Sequence, residues 1–386
     1  MGNTRRKRRN RNEYYFDNTL LLCVLLLLFC GLIVLYSTSS YSAALEHGDS
    51  AYYLKKQCFA TALGLVGMFL VSKFDYHRWV KLAVPIYVVS LILIALVKTP
   101  LGRTINGARR WIFIGGLSIQ PAEAAKVAVI IIMTAFICAL GKGIRRIKSI
   151  IVTLLIAALP AGMILFITKN MSSAIIVLGI AAVMIFVADP HYLRYFAVVA
   201  GVIALATLVV MLIVGSGESD AGGFRGDRIK AWVDPEAYAS DEGFQTLQAL
   251  YAIGSGGIIG KGLGQSMQKL GFLPEAQNDM VFSIICEELG LFGALCVLVL
   301  FGTLIYRFMI VANNAPDLTG ALLVVGVMGH IAIQVILNIA VVTNTIPNTG
   351  ITLPFISYGG TSILFLLAEI GIVLNVSGKI HLRDVE

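Results

Sequence analysis

The sequence predicts an all-α polytopic membrane protein with ten transmembrane helices, and three observations support this fold class. Of the 386 residues, 58% are hydrophobic and only 13% are charged, whereas soluble domains contain about 25% charged residues. The hydrophobic residues form runs of the ~17–25 residues that a membrane-spanning helix needs. Lys and Arg are concentrated in the tails and in alternate short loops, as the positive-inside rule requires. Polar side chains cannot cover this much apolar surface, so the solvent of the chain is lipid.

The even number of spans places both termini on one side of the membrane. That side is predicted to be the cytoplasm, because the chain begins with the basic residues Arg5, Arg6, Lys7, Arg8, Arg9 and Arg11. The predicted spans are residues 19–36, 57–72, 80–97, 123–140, 150–168, 172–188, 193–214, 279–305, 319–342 and 356–377. The first span is interpreted as an anchor rather than a cleaved signal peptide, since no small-residue cleavage site follows it. The tails are predicted to be a disordered basic segment, 1–18, and a short cytoplasmic segment, 378–386, flanking the membrane domain 19–377.

Two other classes are excluded by charge and cysteine placement. The net charge of +8 does not indicate nucleic-acid binding, because the excess flanks apolar spans. All six cysteines lie inside apolar runs without CxxC or Cys/His spacing, so neither a zinc site nor a disulfide framework is expected.

Two outer segments carry more basic residues than the topology favours. They are the loop 98–126 and the large loop 215–278 between spans 7 and 8, which is predicted to lie on the membrane surface. An anionic ligand such as a lipid phosphate or diphosphate would explain these charges. Pairing with the acidic residues of the same loops would explain them equally well.

The fourth span begins with a candidate binding pair. Pro121 is suited to the first turn of a helix, and Glu123 and Lys126 are neighbours on one helical face. Lys126 could bind a phosphate that Glu123 orients, or the two could neutralise each other and lock the helix. The preceding Arg109 and Arg110 add two guanidinium groups.

The glycine-rich run Gly254–Gly264 does not match a nucleotide-binding motif. A P-loop needs Gly five residues before Gly-Lys and then Ser or Thr, but Ser255 and Gly262 occupy these positions. The run is predicted to be irregular, either contacting an anion through backbone N–H groups or acting as a hinge between helical pieces.

Asp279 stands at the start of the eighth span and is the strongest candidate for chemistry. One alternative is that it caps the helix N-terminus, where Asp is favoured. Asn278 could cap equally well, which would leave the carboxylate at the mouth of an apolar cavity as a general base. Glu287 and Glu288 lie deeper and do not share one helical face with Asp279, so they are predicted to make structural hydrogen bonds.

Polar residues in the last two spans predict a cavity wall near the outer face. His330, Gln334 and Asn338 recur every four residues and form one stripe, interpreted as glue between helices or as the lining of a groove. The segment 347–362 contains two prolines and several glycines, so its backbone must be irregular and satisfied by protein or water.

Six segments of the chain form a set of motifs. They are GARRWI at 107–112, QPAEAAK at 120–126, RIKAWVDP at 228–235, AIGSGGIIGKGLGQSMQK at 252–269, LPEAQNDMVFSIICEELG at 273–290 and IPNTGITLPFISYGGTS at 346–362. Together they resemble the SEDS family (shape, elongation, division and sporulation), and more closely its FtsW branch than its RodA branch. The segments occur in family order, and the resemblance covers all ten predicted spans.

The resemblance implies a peptidoglycan glycosyltransferase that polymerises lipid II on the outer face of the bacterial cytoplasmic membrane. It implies a class B penicillin-binding protein and other division proteins as partners, lipid II and undecaprenyl diphosphate as ligands, and no nucleic acid. The family's essential aspartate falls on Asp279, the predicted catalytic base. The predicted substrate- and diphosphate-binding residues are Arg109, Arg110, Gln120, Glu123, Lys126, Arg228, Lys261, Glu275 and Ser357. A divalent cation, Mg²⁺ or Mn²⁺, could assist the diphosphate, although no ligand cluster indicates one.

One departure from the family pattern affects the site. Many members carry P-D-x-G-T before the sixth span, whereas this chain reads Lys169–Asn170–Met171–Ser172–Ser173. The acid is absent, so a role assigned to that carboxylate does not transfer. Two other functions fit the same features: a flippase that carries lipid II across the membrane, and a scaffold that recruits division proteins.

Overall fold

The computed structural model describes residues 14–105, 108–114, 117–215, 223–240 and 243–381. The predictions made for the basic run at 5–11 and for the last five residues lie outside these ranges. In chain order, the described helices are α1 (Asn18–His47), α2 (Tyr52–Lys73), α3 (Tyr76–Lys81), α4 (Ala83–Leu96), α5 (Pro121–Leu140), α6 (Ile147–Ile167), α7 (Met171–Ala188), α8 (Tyr192–Gly215), α9 (Gly223–Val233), α10 (Phe244–Gly256), α11 (Val281–Asn313), α12 (Leu318–Val342) and α13 (Gly360–Ser377).

Eight of the described helices are long and apolar enough to cross a membrane: α1, α2, α5, α6, α7, α11, α12 and α13. Two further helices, α4 and α8, coincide with the predicted spans 80–97 and 193–214. The predicted class, a mainly helical polytopic membrane protein, is confirmed. The count of ten spans and the cytoplasmic position of the termini stay predictions.

The centre of the bundle is formed by α12 and α13. In the most apolar window of each, 67% and 72% of the residues are buried, against 28% for α2 and α6. Helices α5 and α7 pack against α12, and α2 packs against α13. The polar stripe of α12 therefore lies inside the protein rather than against lipid.

A three-stranded antiparallel sheet occupies the loop before α5, where the all-α prediction included no strands. Its strands are β2 (Gly102–Ile105), β3 (Ala108–Ile114) and β4 (Leu117–Ile119), in the order β2-β3-β4. Strand β3 reads ARRWIFI, and its aromatic and β-branched residues favour an extended backbone.

The first and last described residues of the chain lie together. Strand β1 (Tyr14–Tyr15) pairs with β5 (Ile380–His381). Asp17 is buried, accepts a 2.9 Å hydrogen bond from the Leu20 N–H and forms a 2.8 Å ion pair with Arg307. These contacts fasten the start of α1 to the end of α11.

The glycine-rich run is joined to a break in α11. Gly290 has φ 66° and ψ −168° inside that helix, which interrupts its hydrogen bonding. The N–H groups of Lys261 and Gly262 donate to the carbonyls of Glu287 and Glu288, at 3.0 and 2.9 Å. The broken helix donates in return, at 2.9 Å from Leu291 N–H to Gly257 and at 3.1 Å from Phe292 N–H to Ile258.

This junction places part of the segment 215–278 against α11. The sequence predicts that residues 215–278 lie on the membrane surface. In the structure, Ile258 and Gly260, which follow α10, lie beside Gly290, about 14 Å along the axis of α11 from its first residue. The position of this segment relative to the membrane stays a prediction. The backbone N–H groups of Lys261 and Gly262 are used by carbonyls, so these two are not available to an anion.

Candidate active site

Asp279 lies two residues before α11, in a position where its carboxylate has little contact with solvent. It is 8% exposed, and among the described residues its Oδ1 has no hydrogen-bond partner. Burial, with the nearby charge of Glu275, raises the pKa of Asp279 to about 7, and Arg228 opposes the rise. A buried carboxyl group with a pKa near neutrality can accept a proton at physiological pH, as a general base must.

The helix-capping alternative for Asp279 does not hold. The residue at the N-cap position of α11 is Met280, and no side chain caps the helix. Asn278 does not cap either, because its amide donates to the Glu275 carboxylate. Glu275 itself has φ 56°, so the chain turns sharply there before it delivers Asp279 to the site.

The irregular segment before α13 forms one wall of the site. Ser357 Oγ accepts from the Leu353 N–H at 2.8 Å and donates to the Asn278 carbonyl at 2.6 Å. Gly350 has φ 70°, and a Cβ at this residue would lie 3.7 Å from Asp279 Oδ2. Ser357 was predicted to bind substrate, and in the structure it joins two backbone segments beside the carboxylate.

The polar stripe of α12 holds this wall in place. Asn338 is fully buried and donates to the carbonyls of Asp279 and Ile351, at 2.7 and 2.6 Å. Gln334 donates to the Thr352 carbonyl at 3.0 Å. The third member, His330, pairs with Glu369 of α13 at 2.8 Å. The polar stripe thus connects α12 to α13 and to the irregular segment through hydrogen bonds and an ion pair.

Glu123 and Lys126 form a buried ion pair beneath the wall. Lys126 Nζ lies 2.8 Å from Glu123 Oε1, and the two side chains are 1% and 7% exposed. Lys126 also contacts Gln334 Oε1 at 3.5 Å, and Ser362 contacts Glu123 at 3.3 Å. This geometry matches the self-neutralising alternative, and the phosphate-binding role stays a prediction.

Two predicted residues lie next to this pair along the chain. Gln120 is half-buried at the N-cap position of α5, with no side-chain capping bond. Pro121 begins the helix, as predicted.

Arg109 and Arg110 point in different directions, since successive residues of a strand face opposite sides of a sheet. Arg109 donates to the backbone carbonyls of Gly102 and Thr99, at 3.2 and 2.6 Å, and so braces its own hairpin. Arg110 donates to the Lys169 carbonyl at 3.2 Å, while its buried Nε has no partner among the described residues. Burial and the charge of Arg228 lower the pKa of Arg110.

Arg228 belongs to the same charged group. It influences the pKa of both Arg110 and Asp279, so it lies near both. It is one turn before Trp232 in α9, whose indole donates to the Asn344 carbonyl at 3.0 Å. This bond fastens α9 to the residues that follow the C-terminal end of α12.

Asn170 stands where the family pattern has an acid, and its side chain caps a helix. Asn170 accepts a hydrogen bond from the Ser173 N–H at 3.1 Å and caps α7, a role in which Asn and Asp are equivalent. Lys169 has φ 51° and offers its carbonyl to Arg110. The substitution therefore keeps the local fold and removes a negative charge from the surroundings of Arg110.

The side chain of Lys261 forms an ion pair with an acidic residue of α11. Its Nζ lies 2.7 Å from Glu287, and Lys269 makes an equivalent 2.7 Å pair with Glu288, which Ser37 of α1 also contacts at 2.7 Å. The structural role predicted for the two glutamates matches these contacts. Lys269 and Ser37 were not predicted as partners of these glutamates, because pairing between distant segments leaves no local pattern in the sequence.

The site thus combines Asp279 with Glu275, Arg228 and the irregular wall around Gly350, and the charge of Arg228 also acts on Arg110. Oxygen acceptors of this region are left without donors: besides Asp279 Oδ1, Asn338 Oδ1 and Thr349 Oγ1 are buried and unpartnered among the described residues.

Comparison with known proteins identifies the family. A family model for cell cycle proteins of the FtsW, RodA and SpoVE type matches residues 17–381. The chain belongs to the FtsW/RodA/SpoVE family. The SEDS resemblance inferred from the motifs is thereby confirmed.

Curated relatives of the FtsW/RodA/SpoVE family match over most of the chain. Stage V sporulation protein E of Bacillus subtilis is 38% identical over 90% of this chain and 93% of its own length. A probable peptidoglycan glycosyltransferase FtsW of Trichlorobacter lovleyi is 37% identical over 92% of this chain and 91% of its own length. These names agree with the predicted FtsW-like character.

Solved structures of the family share the fold. A chain in a peptidoglycan synthase complex that coordinates polymerization and crosslinking aligns with a TM-score of 0.75 and 30% identity, covering 94% of this chain and 97% of that one. The rod shape determining protein RodA of Thermus thermophilus aligns with a TM-score of 0.66 and 29% identity, covering 94% and 96%.

Proposed function

We propose that this protein is a peptidoglycan glycosyltransferase that polymerises lipid II at the outer face of the cytoplasmic membrane during cell division. The observation that carries the proposal is the buried carboxylate of Asp279, whose Oδ1 has no hydrogen-bond partner among the described residues, with the positive charge of Arg228 acting on it. The activity named for its FtsW relatives agrees with this arrangement.

In the proposed reaction, Asp279 acts as general base. It removes the proton from the C4 hydroxyl of the acceptor's N-acetylglucosamine as that oxygen bonds to C1 of the donor's N-acetylmuramic acid. The bond from C1 to the diphosphate oxygen breaks, and its electron pair leaves on undecaprenyl diphosphate. One displacement of this kind inverts the anomeric centre.

Arg110 and Arg228 are the groups we assign to the leaving diphosphate. Guanidinium groups bind phosphate oxygens through paired N–H donors, and a preorganised donor stabilises charge that develops in the transition state. Arg110 also donates to the Lys169 carbonyl, but its buried Nε has no partner among the described residues. Arg109 braces its own hairpin through two carbonyls, and Lys126 and Lys261 form ion pairs with Glu123 and Glu287. Their contribution is therefore proposed to be indirect.

An apolar groove along α11 supports a lipid substrate. Its volume is about 310 Å³, and it lies between α1 and α11, with Val34, Ile285 and Val297 among its lining residues and Ile356 next to the irregular wall. A polyisoprenyl chain could occupy such a groove while its diphosphate lies at the site.

A divalent cation is not assigned to any residue. The described residues contain no group of three or more His, Cys, Asp or Glu side chains placed to hold a metal. Mg²⁺ often binds through one or two carboxylates and the substrate's own phosphates, so a cation that arrives with the diphosphate stays a proposal without a step in the mechanism.

The proposed partner is a class B penicillin-binding protein, which would crosslink the strands, together with other division proteins. Support comes from the likeness to a chain of a solved complex that coordinates polymerization and crosslinking.

The test is polymerisation of lipid II by the purified full-length protein with its transpeptidase partner. We expect glycan strands on a gel that disappear after muramidase digestion. Absence of polymer under all partner and Mg²⁺ or Mn²⁺ conditions would contradict the proposal. The flippase alternative is tested in vesicles with fluorescent lipid II, where transport without polymer would favour it.

A further inference from the structure

The backbone at Asp279 is held by a single side chain from the core of the bundle. Asp279 precedes α11, so the regular hydrogen bonds of that helix do not fix it. Ser357 and the Tyr358 N–H bind the carbonyls of Asn278 and Gln277, at 2.6 and 2.9 Å. Among the described residues, the carbonyl of Asp279 itself accepts from Asn338 at 2.7 Å.

Asn338 is well suited to fix the position of the Asp279 backbone. It is 0% exposed and lies in α12, one of the two most buried helices of the bundle. Its amide nitrogen donates one hydrogen to Asp279 and the other to Ile351, at 2.6 Å. Both donors of the amide are used, so rotation about the last bond of the side chain would break two buried hydrogen bonds.

The second bond connects the carboxylate to the opposite wall of the site. Ile351 follows Gly350, whose backbone lies next to Asp279 Oδ2. Both walls are irregular backbone, and neither is part of a helix. One amide group in α12 therefore joins the carboxylate-bearing segment to the wall at residues 279 and 351, in addition to the direct bonds from Ser357 and Tyr358.

We propose that Asn338 is a positioning residue for the reaction, and that it holds Asp279 at the height and distance the acceptor hydroxyl requires. The inference rests on the proposed function, in which Asp279 is the base. A displacement of about 1 Å at a reacting group can reduce a rate by about a hundredfold, whereas substrate binding at the arginines and in the apolar groove does not involve Asn338.

The chain offers a matched control in Asn375 of α13. It is also buried and also bridges two backbone groups: it accepts from the Tyr76 N–H at 2.9 Å and donates to the Ser72 carbonyl at 2.7 Å. These bonds join α13 to residues at the start of α3 and the end of α2, whereas Asn338 bonds the backbone of the site itself.

The experiment compares Asn338→Ala and Asn375→Ala in the full-length protein with its transpeptidase partner and lipid II. Thermal unfolding gives the folded fraction, and initial rates give kcat per folded molecule and KM. We expect Asn338→Ala to lower kcat by about a hundredfold with KM within about twofold, and Asn375→Ala to retain the parental kcat per folded molecule. Asn338→Asp, which keeps the volume and removes the two N–H donors, gives the same measurement if the alanine variant does not fold.

Parental kcat per folded molecule in the Asn338 variants, or an equal fall in Asn375→Ala, would overturn the positioning role. Asp279→Asn is measured in parallel to separate the two claims. If it loses activity while the Asn338 variants do not, only the positioning role fails. If Asp279→Asn keeps full activity, the proposed function of the carboxylate fails first.

Discussion

The proposed chemistry depends on the position of one carboxyl group. Asp279 is withdrawn from solvent, stands near the acid Glu275, and has Arg228 close enough to compensate in part. Burial raises its pKa to about 7, so near neutral pH a small change in its surroundings changes the fraction that is ionised and able to accept a proton.

The first prediction is a dependence of the polymerisation rate on pH. The base must be ionised, so activity is expected to fall below about pH 7, approaching tenfold per pH unit in the acid limb. Initial rates with lipid II between pH 5.5 and 8.5 measure this. A rate that stays constant down to pH 5.5 would show that no group with this pKa is the base.

The second prediction concerns stability and has a defined sign. The folded protein holds the Asp279 proton more tightly than the unfolded chain, because the pKa rises from 3.8 to about 7. Ionisation therefore costs stability, about 1.4 kcal/mol for each unit of the shift. This cost is absent below about pH 4 and grows as the pH rises to 7. Asp279→Asn should unfold at a higher temperature than the parent at pH 8, with the difference vanishing near pH 4.

Asp317 provides the control of opposite sign. Burial acts to raise the pKa of Asp317. Hydrogen bonds from the Gly320 N–H, His77 and Tyr76 outweigh burial and hold that pKa below its usual value. Asp317→Asn should therefore lower the unfolding temperature at pH 8. Equal or lower stability of Asp279→Asn than of the parent at pH 8 would refute the account of its burial.

The sequence could identify several site residues but not their orientation. Asp279 was identifiable because a lone acid at the start of an apolar helix is costly unless it is used. The neighbours Arg109 and Arg110 appeared equivalent as a charged pair, and the strand that separates them was not predicted. Asn338 was recognised as part of a stripe, while its partners Asp279 and Ile351 depend on irregular backbone that periodicity does not describe.

At the scale of elements, the junction between the glycine-rich run and α11 is the feature that the sequence did not reveal. The run contains glycines with positive φ, including Gly260 at 87° and Gly262 at 103°. Helix α11 is interrupted at Gly290, where the run forms hydrogen bonds with it. Helix periodicity identified α11 but not its interruption, since the bonds that replace the missing helical ones come from a segment about 30 residues earlier in the chain.

The third prediction tests this junction with Gly260→Ala. A Cβ at Gly260 would lie 2.3 Å from the Glu288 carbonyl oxygen and 2.5 Å from Gly290 N, and both atoms are backbone that cannot move aside. We expect a loss of several degrees in unfolding temperature, since overpacking typically costs about 1–3 kcal/mol. The measurement is thermal unfolding of the purified protein.

Gly254→Ala in the neighbouring α10 is the matched control. A Cβ there would meet no atom within 4 Å, and alanine favours a helix over glycine by about 1 kcal/mol. The unfolding temperature should stay constant or rise. Equal effects of the two substitutions would mean that the close junction at Gly290 does not contribute to stability.

At the scale of the whole molecule, composition and hydrophobic runs predicted the class and most helix positions. The predicted spans and the observed helices differ in their bounds where polar residues continue a helix. An example is α1, which extends to His47, whereas the predicted span ends at residue 36. There Ser39 donates to the Leu35 carbonyl at 2.7 Å, and Ser37 binds Glu288, so hydroxyl groups are satisfied within the protein. Satisfaction of this kind depends on neighbouring helices and could not be predicted from local hydropathy.

The fourth prediction concerns topology. If ten spans cross the membrane and both termini are cytoplasmic, a green fluorescent protein fused after Glu386 should fluoresce, and alkaline phosphatase fused after Asp234 should be active. Fluorescence requires folding in the cytoplasm, and phosphatase activity requires export. Inactive phosphatase at Asp234 together with a fluorescent C-terminal fusion would contradict an outer position of the loop that contains α9.

The central claim, that Asp279 is the base of a lipid II polymerase, is tested most directly by the polymerisation rate of Asp279→Asn. The variant is purified with its transpeptidase partner, its folding is checked by thermal unfolding, and its binding of lipid II is measured before the rate is taken. The account predicts a folded protein that binds lipid II and forms no detectable glycan polymer. Polymerisation near the parental rate by this variant would contradict it.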